Sequence, residues 1–269
     1  MAYSLCILGS SHAGAIKQAW SSRAAASSPS LTFFAKGGAK MRQLAYRNGI
    51  IAHPSPEVRL AFQRTSGGEE KIVLARYDAV VFYAIGLSFD KVLELGKEFA
   101  TVKHLRYGGE GALVSSACFA AMLRATIAES AALSLLAKMR KDYKGPVVVC
   151  PTPLPPESLF MEQLPSMPAR FADACYLATL YREMSDAMSA ACTELGAALV
   201  GQGDDTIAPP CFTRSEFALG APMNKRGMRE EYNKHMNQAF GALMLDAILA
   251  KLEALSGGKL PCPAASDAA

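Results

Sequence analysis

The sequence predicts an α/β fold in which a mainly parallel sheet lies between two layers of helices. Two observations point there. Strand and helix patterns alternate through most of the 269 residues, as a succession of β-α-β units requires. Four of the five strand candidates are short and nearly all apolar, the pattern of strands buried on both faces of a parallel sheet. An apolar content of 51% and a charged content of 19% exclude a disordered chain and can fill a sizeable core at this length.

The first strand spans Tyr3 to Leu8 and runs directly into Gly9-Ser10-Ser11-His12-Ala13-Gly14, followed by a helical pattern from Ala13 to Ala26. The second strand, Leu31 to Ala35, leads into Lys36-Gly37-Gly38-Ala39. Beyond it, Val58 to Gln63, the turn residues Thr65 to Gly68, and Lys71 to Leu74 read as a β-hairpin inserted between the second and third core strands. The third strand, Ala79 to Ile85, meets Gly86-Leu87-Ser88 and a helix from Ser88 to Phe99.

A long helical pattern from Ser115 to Tyr143, rich in Ala, Leu and Met with spaced charges, packs an amphipathic face on the sheet. Its methionines are core filler rather than a cofactor box. Val147 to Cys150 forms the fourth strand, Ala169 to Leu195 a helix, Ala197 to Val200 the fifth strand, and Asn237 to Leu255 the last helix. Three proline-rich stretches, Pro151 to Pro156, Pro165 to Pro168 and Pro209-Pro210, mark loops on one side of the sheet. With no repeat and no linker, residues 1–255 are expected to form a single domain and 256–269 a flexible tail.

No apolar run reaches the roughly 18 residues of a membrane span. The N-terminus lacks the basic and apolar regions of a leader, and a cytoplasmic location is expected. The seven cysteines are odd in number, form no Cys-x-x-Cys pair, and are expected to be buried reduced thiols. A formal charge of +4 with no basic element argues against a nucleic-acid partner. His53 and His104 have no carboxylate at metal-ligand spacing, so neither a metal nor a cofactor is expected. The first loop also lacks the glycine pattern that cradles phosphates, which disfavours a nucleotide binder.

The chemistry lies at the two ends of the chain. A parallel sheet brings its strand-end loops to one edge, where ligands of open α/β sheets bind. There the serine of the first loop and the histidine of Glu231-Tyr232-Asn233-Lys234-His235-Met236-Asn237 can meet, giving a hydroxyl the base it needs to act as a nucleophile. These two segments resemble the SGNH, or GDSL-like, hydrolase superfamily in its Gly-x-Ser-His variant. In that family a Gly-Asp/Asn-Ser-Leu/His block carries the nucleophile, and an Asp-x-x-His block before the last helix carries the base.

The resemblance implies a flavodoxin-like three-layer α/β/α sandwich of SGNH-hydrolase type. It assigns Ser11 as the nucleophile, two residues after Gly9, although Ser10 is an adjacent rival, and His235 as the base. Oxyanion donors are implied at the Ser11 backbone N–H, at Gly38 with Gly37 close behind, and at Ser88. The family has an asparagine where Ser88 stands, and an aspartate where Tyr232 stands three residues before His235; Glu231 is the off-register carboxylate. His12, Gly37 and the basic segment ending at Arg229 are candidate substrate contacts, and Asn237 is a candidate cap of the last helix. The implied activity is hydrolysis of a small ester through a Ser11 acyl-enzyme. An inactive or weak SGNH-like binding protein, and an O-acyltransferase using the same pair, remain open alternatives; the oligomeric state is not indicated.

Overall fold

The computed structural model describes residues 3–23, 29–37, 39–108, 111–218 and 235–258. Five parallel strands form the central sheet: β1 (Ser4–Gly9), β2 (Ser30–Ala35), β3 (Ala79–Tyr83), β4 (Val147–Cys150) and β5 (Ala198–Leu199). Their order is β2-β1-β3-β4-β5. The chain therefore leaves β1 to one side for β2 and returns on the other side for β3. This reversal is the topological switch point, where a crevice opens beyond the carboxyl ends of the strands.

Alternate residues of β1 feed two separate cores. Leu5 and Ile7 pack with α1 (Ala13–Ser21) and the last helix (Gln238–Ser256). Cys6 and Leu8 face the opposite core, built with the helices Pro56–Ser66, Phe89–Glu98, Ser116–Ala128, Ala131–Met139 and Ala174–Glu194. Helices on both faces explain why every residue of β3 and β4 is buried, and why these strands read as apolar runs rather than as alternating ones. The register sets Gly9 beside Ala35 and Tyr83, and Tyr83 beside Cys150. Four strands thus end abreast, and their following loops share one edge.

The segment expected as an inserted hairpin is different. Pro56–Ser66 is an α-helix, entered at Ser55 with proline in its first turn and closed by Gly67 at φ 87°. Val58 and Phe62, four residues apart, are buried while Leu60 is exposed, so the helical period and not the alternation sets the facing. A hairpin does occur upstream, where Ala45–Arg47 pairs with Ile50–Ala52 around Asn48-Gly49, both at positive φ. Ile72–Val73 adds a third antiparallel strand to it.

The long pattern from Ser115 is two helices, separated at Glu129-Ser130 and bent by 69°. Ser130 caps the second by accepting from the Leu133 N–H at 3.3 Å. Cys118 and Cys175 are exposed, contrary to the expectation for the thiols, while Cys6, Cys150, Cys192 and Cys211 are buried. Residues 259–269 of the expected tail lie outside the described residues. Among the described residues no single helix is long and apolar enough to cross a membrane.

Candidate active site

The turn after β1 is built around Gly9. A Cβ there would stand 2.7 Å from the Ala13 Cβ and 3.2 Å from the Tyr83 carbonyl oxygen, so only glycine lets the strand pass so closely into α1. The Ser10 N–H donates to the Tyr83 carbonyl at 3.2 Å, and the Lys36 N–H donates to the Gly9 carbonyl at 3.3 Å. The loop is therefore fastened to both neighbouring strands. The two adjacent serines then separate: the Ser10 Oγ accepts from the His12 N–H at 3.4 Å, whereas the Ser11 Oγ lies 2.9 Å from His235 Nε2. Of the rivals, Ser11 is the one paired with the imidazole.

His235 is delivered by a local clamp. Met236 is buried in the core beneath it. Asn237 caps the last helix by accepting from the Phe240 N–H at 3.1 Å, and it donates through Nδ2 to the Glu216 carbonyl at 2.7 Å. Its backbone N–H donates to the Phe217 carbonyl, also at 2.7 Å. The capping role expected for Asn237 is thus present, and the same side chain ties the start of the helix to the segment after β5. Asn237→Ala is expected to lower stability by about 1 kcal/mol through the lost cap. Any turnover that depends on the Ser11–His235 contact should also fall, by about tenfold to a hundredfold, because a small displacement of one reacting group is costly. Thermal melting and steady-state kinetics on the one variant check both.

The two helices carrying the pair touch through Gly241. A Cβ at this position would lie 2.2 Å from the Ala15 carbonyl oxygen and 2.3 Å from its carbon. The backbones of α1 and the last helix therefore meet directly, which brings Ser11 and His235 together across 224 residues of sequence.

Around the pair, Gly37 lies beside Ser11, a Cβ there being 3.6 Å from the Ser11 Oγ. The His12 ring is 4.9 Å from the His235 ring, tilted by 32°. His12 also lines a cavity of about 170 Å³ with Ser88, Asp90, Thr152, Pro153 and Pro155. Ser88 stands at the N-cap of the helix Phe89–Glu98, but its side chain makes no capping bond, so the hydroxyl is not consumed there. The loop before it is tightly held: the Leu87 carbonyl accepts from the Thr152 N–H at 2.7 Å, and Gly86, at φ 78°, passes against the Ala131 backbone.

Ser11, His235, His12, Gly37 and Ser88 are thus gathered at the switch-point edge. Gly38, Arg229, Glu231 and Tyr232 lie outside the described residues. Two contributors escape the sequence reading. Gly241 carries a signal, since glycine inside a helix costs about 1 kcal/mol relative to alanine and implies a packing reason. The hydrogen bond from Asn237 to Glu216 carries none, because it depends on tertiary placement. A scan of the chain against protein-family models gives no match, and a search of curated proteins gives none.

Proposed function

We propose that the chain is a serine ester hydrolase of the SGNH type, acting on a small-molecule ester through an acyl-enzyme on Ser11. The observation that carries this reading is the 2.9 Å contact between the Ser11 Oγ and His235 Nε2 at the carboxyl edge of a parallel sheet. The strand order β2-β1-β3-β4-β5 and the sequence order of the serine, glycine, Ser88 and histidine blocks support the same reading.

In the first half-reaction the Ser11 oxygen attacks the ester carbonyl carbon while its proton passes to His235 Nε2. The carbon–oxygen bond to the leaving alcohol then breaks, and His235 returns the proton to that alcohol. Water repeats the sequence on the acyl-enzyme, releasing the acid and restoring Ser11. The oxyanion formed at each step needs fixed donors, each worth about 3 to 4 kcal/mol in a serine protease. The Ser11 N–H near the mouth of α1, a glycine N–H of the Gly37-Gly38 loop and the Ser88 hydroxyl are the proposed donors. The adjacency of Gly37 to Ser11 supports the second of these, and the cavity shared by Ser88 and His12 supports the third.

A fluorophosphonate probe tests the reading, because it phosphonylates only a serine whose hydroxyl is activated. The expected result is one adduct per chain, mapped by peptide mass spectrometry to Ser11 and not to Ser10. An unlabelled native protein would remove the hydrolase reading.

A further inference from the structure

Two successive residues of the loop after β1 address one imidazole. The Ser11 Oγ meets the His235 ring at Nε2, 2.9 Å away, and the His12 ring lies against the same ring, with centroids 4.9 Å apart and planes inclined by 32°. The backbone of His12 is set by the first turn of α1: its N–H donates to the Ser10 Oγ at 3.4 Å and its carbonyl accepts from the Ala15 N–H at 3.4 Å. Its side chain makes no capping bond there, and its Nδ1 is buried. The imidazole thus serves the neighbouring ring and not the end of its own helix.

The SGNH resemblance sets the aspartate that orients the base three residues before it, and this chain has Tyr232 at that position. A carboxylate orients an imidazole and favours its protonated form. A second imidazole packed against the ring also orients it but disfavours that form, because two like charges so close repel. The other ionisable residue in the lining of the His12 cavity is Asp90, in the first turn of the helix Phe89–Glu98, beside the hydroxyls of Ser88 and Thr152. On the neighbouring loops, Lys36 is paired with Glu57 at 3.0 Å, and Glu216 is tied through its backbone carbonyl to Asn237. A proton entering the pair of rings is drawn by Asp90 toward His12, which leaves His235 Nε2 able to accept from Ser11.

We infer that His12 is the positioning residue of His235: its ring backs the imidazole, keeps it turned to Ser11, and holds it in the neutral form that can take a proton. The kinetic consequence rests on the hydrolase reading of Ser11 and His235, whereas the coupling of the two rings does not. Because only a neutral His235 can accept the Ser11 proton, a second imidazole against it extends activity toward acid pH.

The test follows kcat/KM for p-nitrophenyl acetate across pH in wild type, His12→Phe and His12→Ala. NMR titration of the imidazole Cε1–H signals of the same proteins is the readout that needs no turnover. Phenylalanine keeps a ring against His235 and removes the titrating nitrogens, whereas alanine removes both. In either variant the acid limb of kcat/KM and the His235 titration are expected to move up by about one pH unit. The plateau should fall about threefold in His12→Phe and about tenfold to a hundredfold in His12→Ala. Should His12→Phe fold poorly, His12→Gln removes the charge at a similar volume and is titrated in its place. With turnover present, an acid limb or a His235 titration that stays put overturns the inference and leaves the hydrolase reading standing, because a merely structural ring lowers turnover without moving either. Equal plateaus in wild type and His12→Ala likewise overturn it. No turnover in wild type, with a His235 titration that still depends on His12, would uphold the coupling of the rings and remove the hydrolase reading. Absence of both overturns the inference.

Discussion

Ser11→Ala and His235→Ala are each expected to lower kcat/KM for p-nitrophenyl acetate by at least about a thousandfold, with the double variant no worse than either single one. On the proposed reading the two groups act as one device: the hydroxyl is a poor nucleophile without a base at hydrogen-bond distance, and the base has nothing to deprotonate without the hydroxyl. The 2.9 Å separation makes that coupling direct. Folding should survive, since the loss of one partly buried hydrogen bond costs about 1 kcal/mol. The measurement is steady-state hydrolysis on all three variants beside their melting temperatures. Additive losses would mean that the two side chains act independently, and undiminished turnover in either single variant would place the chemistry elsewhere.

Much of the fold is legible in the sequence because parallel strands announce themselves by composition. Val147–Cys150 is found at the boundaries expected, and Ala79–Tyr83 within two residues. Ser11 and His235 are likewise readable, since a strand running into Gly-Ser-Ser and a histidine before the last helix can only project to the carboxyl edge of such a sheet. The failures have a common origin. Val58, Leu60 and Phe62 satisfy an alternating period and a helical one at once. The deciding signals were at the ends, with Ser55-Pro56 opening a helix and Gly67 closing it. Asn48-Gly49 is the turn pair that does mark a hairpin in this chain. The break at Ser130 is similarly a capping event inside an unbroken apolar pattern. Gly241 hints at a close packing inside the last helix, but no local pattern says which helix it meets.

That packing furnishes the second large effect. Gly241→Ala is expected to cost about 1 to 3 kcal/mol in stability and about a hundredfold in kcat/KM. A methyl group placed 2.2 Å from the Ala15 carbonyl oxygen has no room, so α1 and the last helix must move apart. Alanine's better helix propensity returns about 1 kcal/mol, which is why the stability loss should be modest. Catalysis has no such compensation. Ser11 precedes α1 and His235 precedes the last helix, so a separation of about 1 Å at the crossing is carried to the 2.9 Å contact and weakens it beyond a useful hydrogen bond. Leu252→Ala is the control: it empties a fully buried position on the same helix, and 11 residues further along at 1.5 Å per residue places it about 16 Å from the crossing. It should cost about 2 to 5 kcal/mol in stability while leaving kcat/KM within about threefold of wild type. An activity loss that tracks the melting temperature alike in both variants would mean that the crossing merely stabilises the fold. Loss in Gly241→Ala alone would mean that the contact of the two helices sets the geometry of the pair.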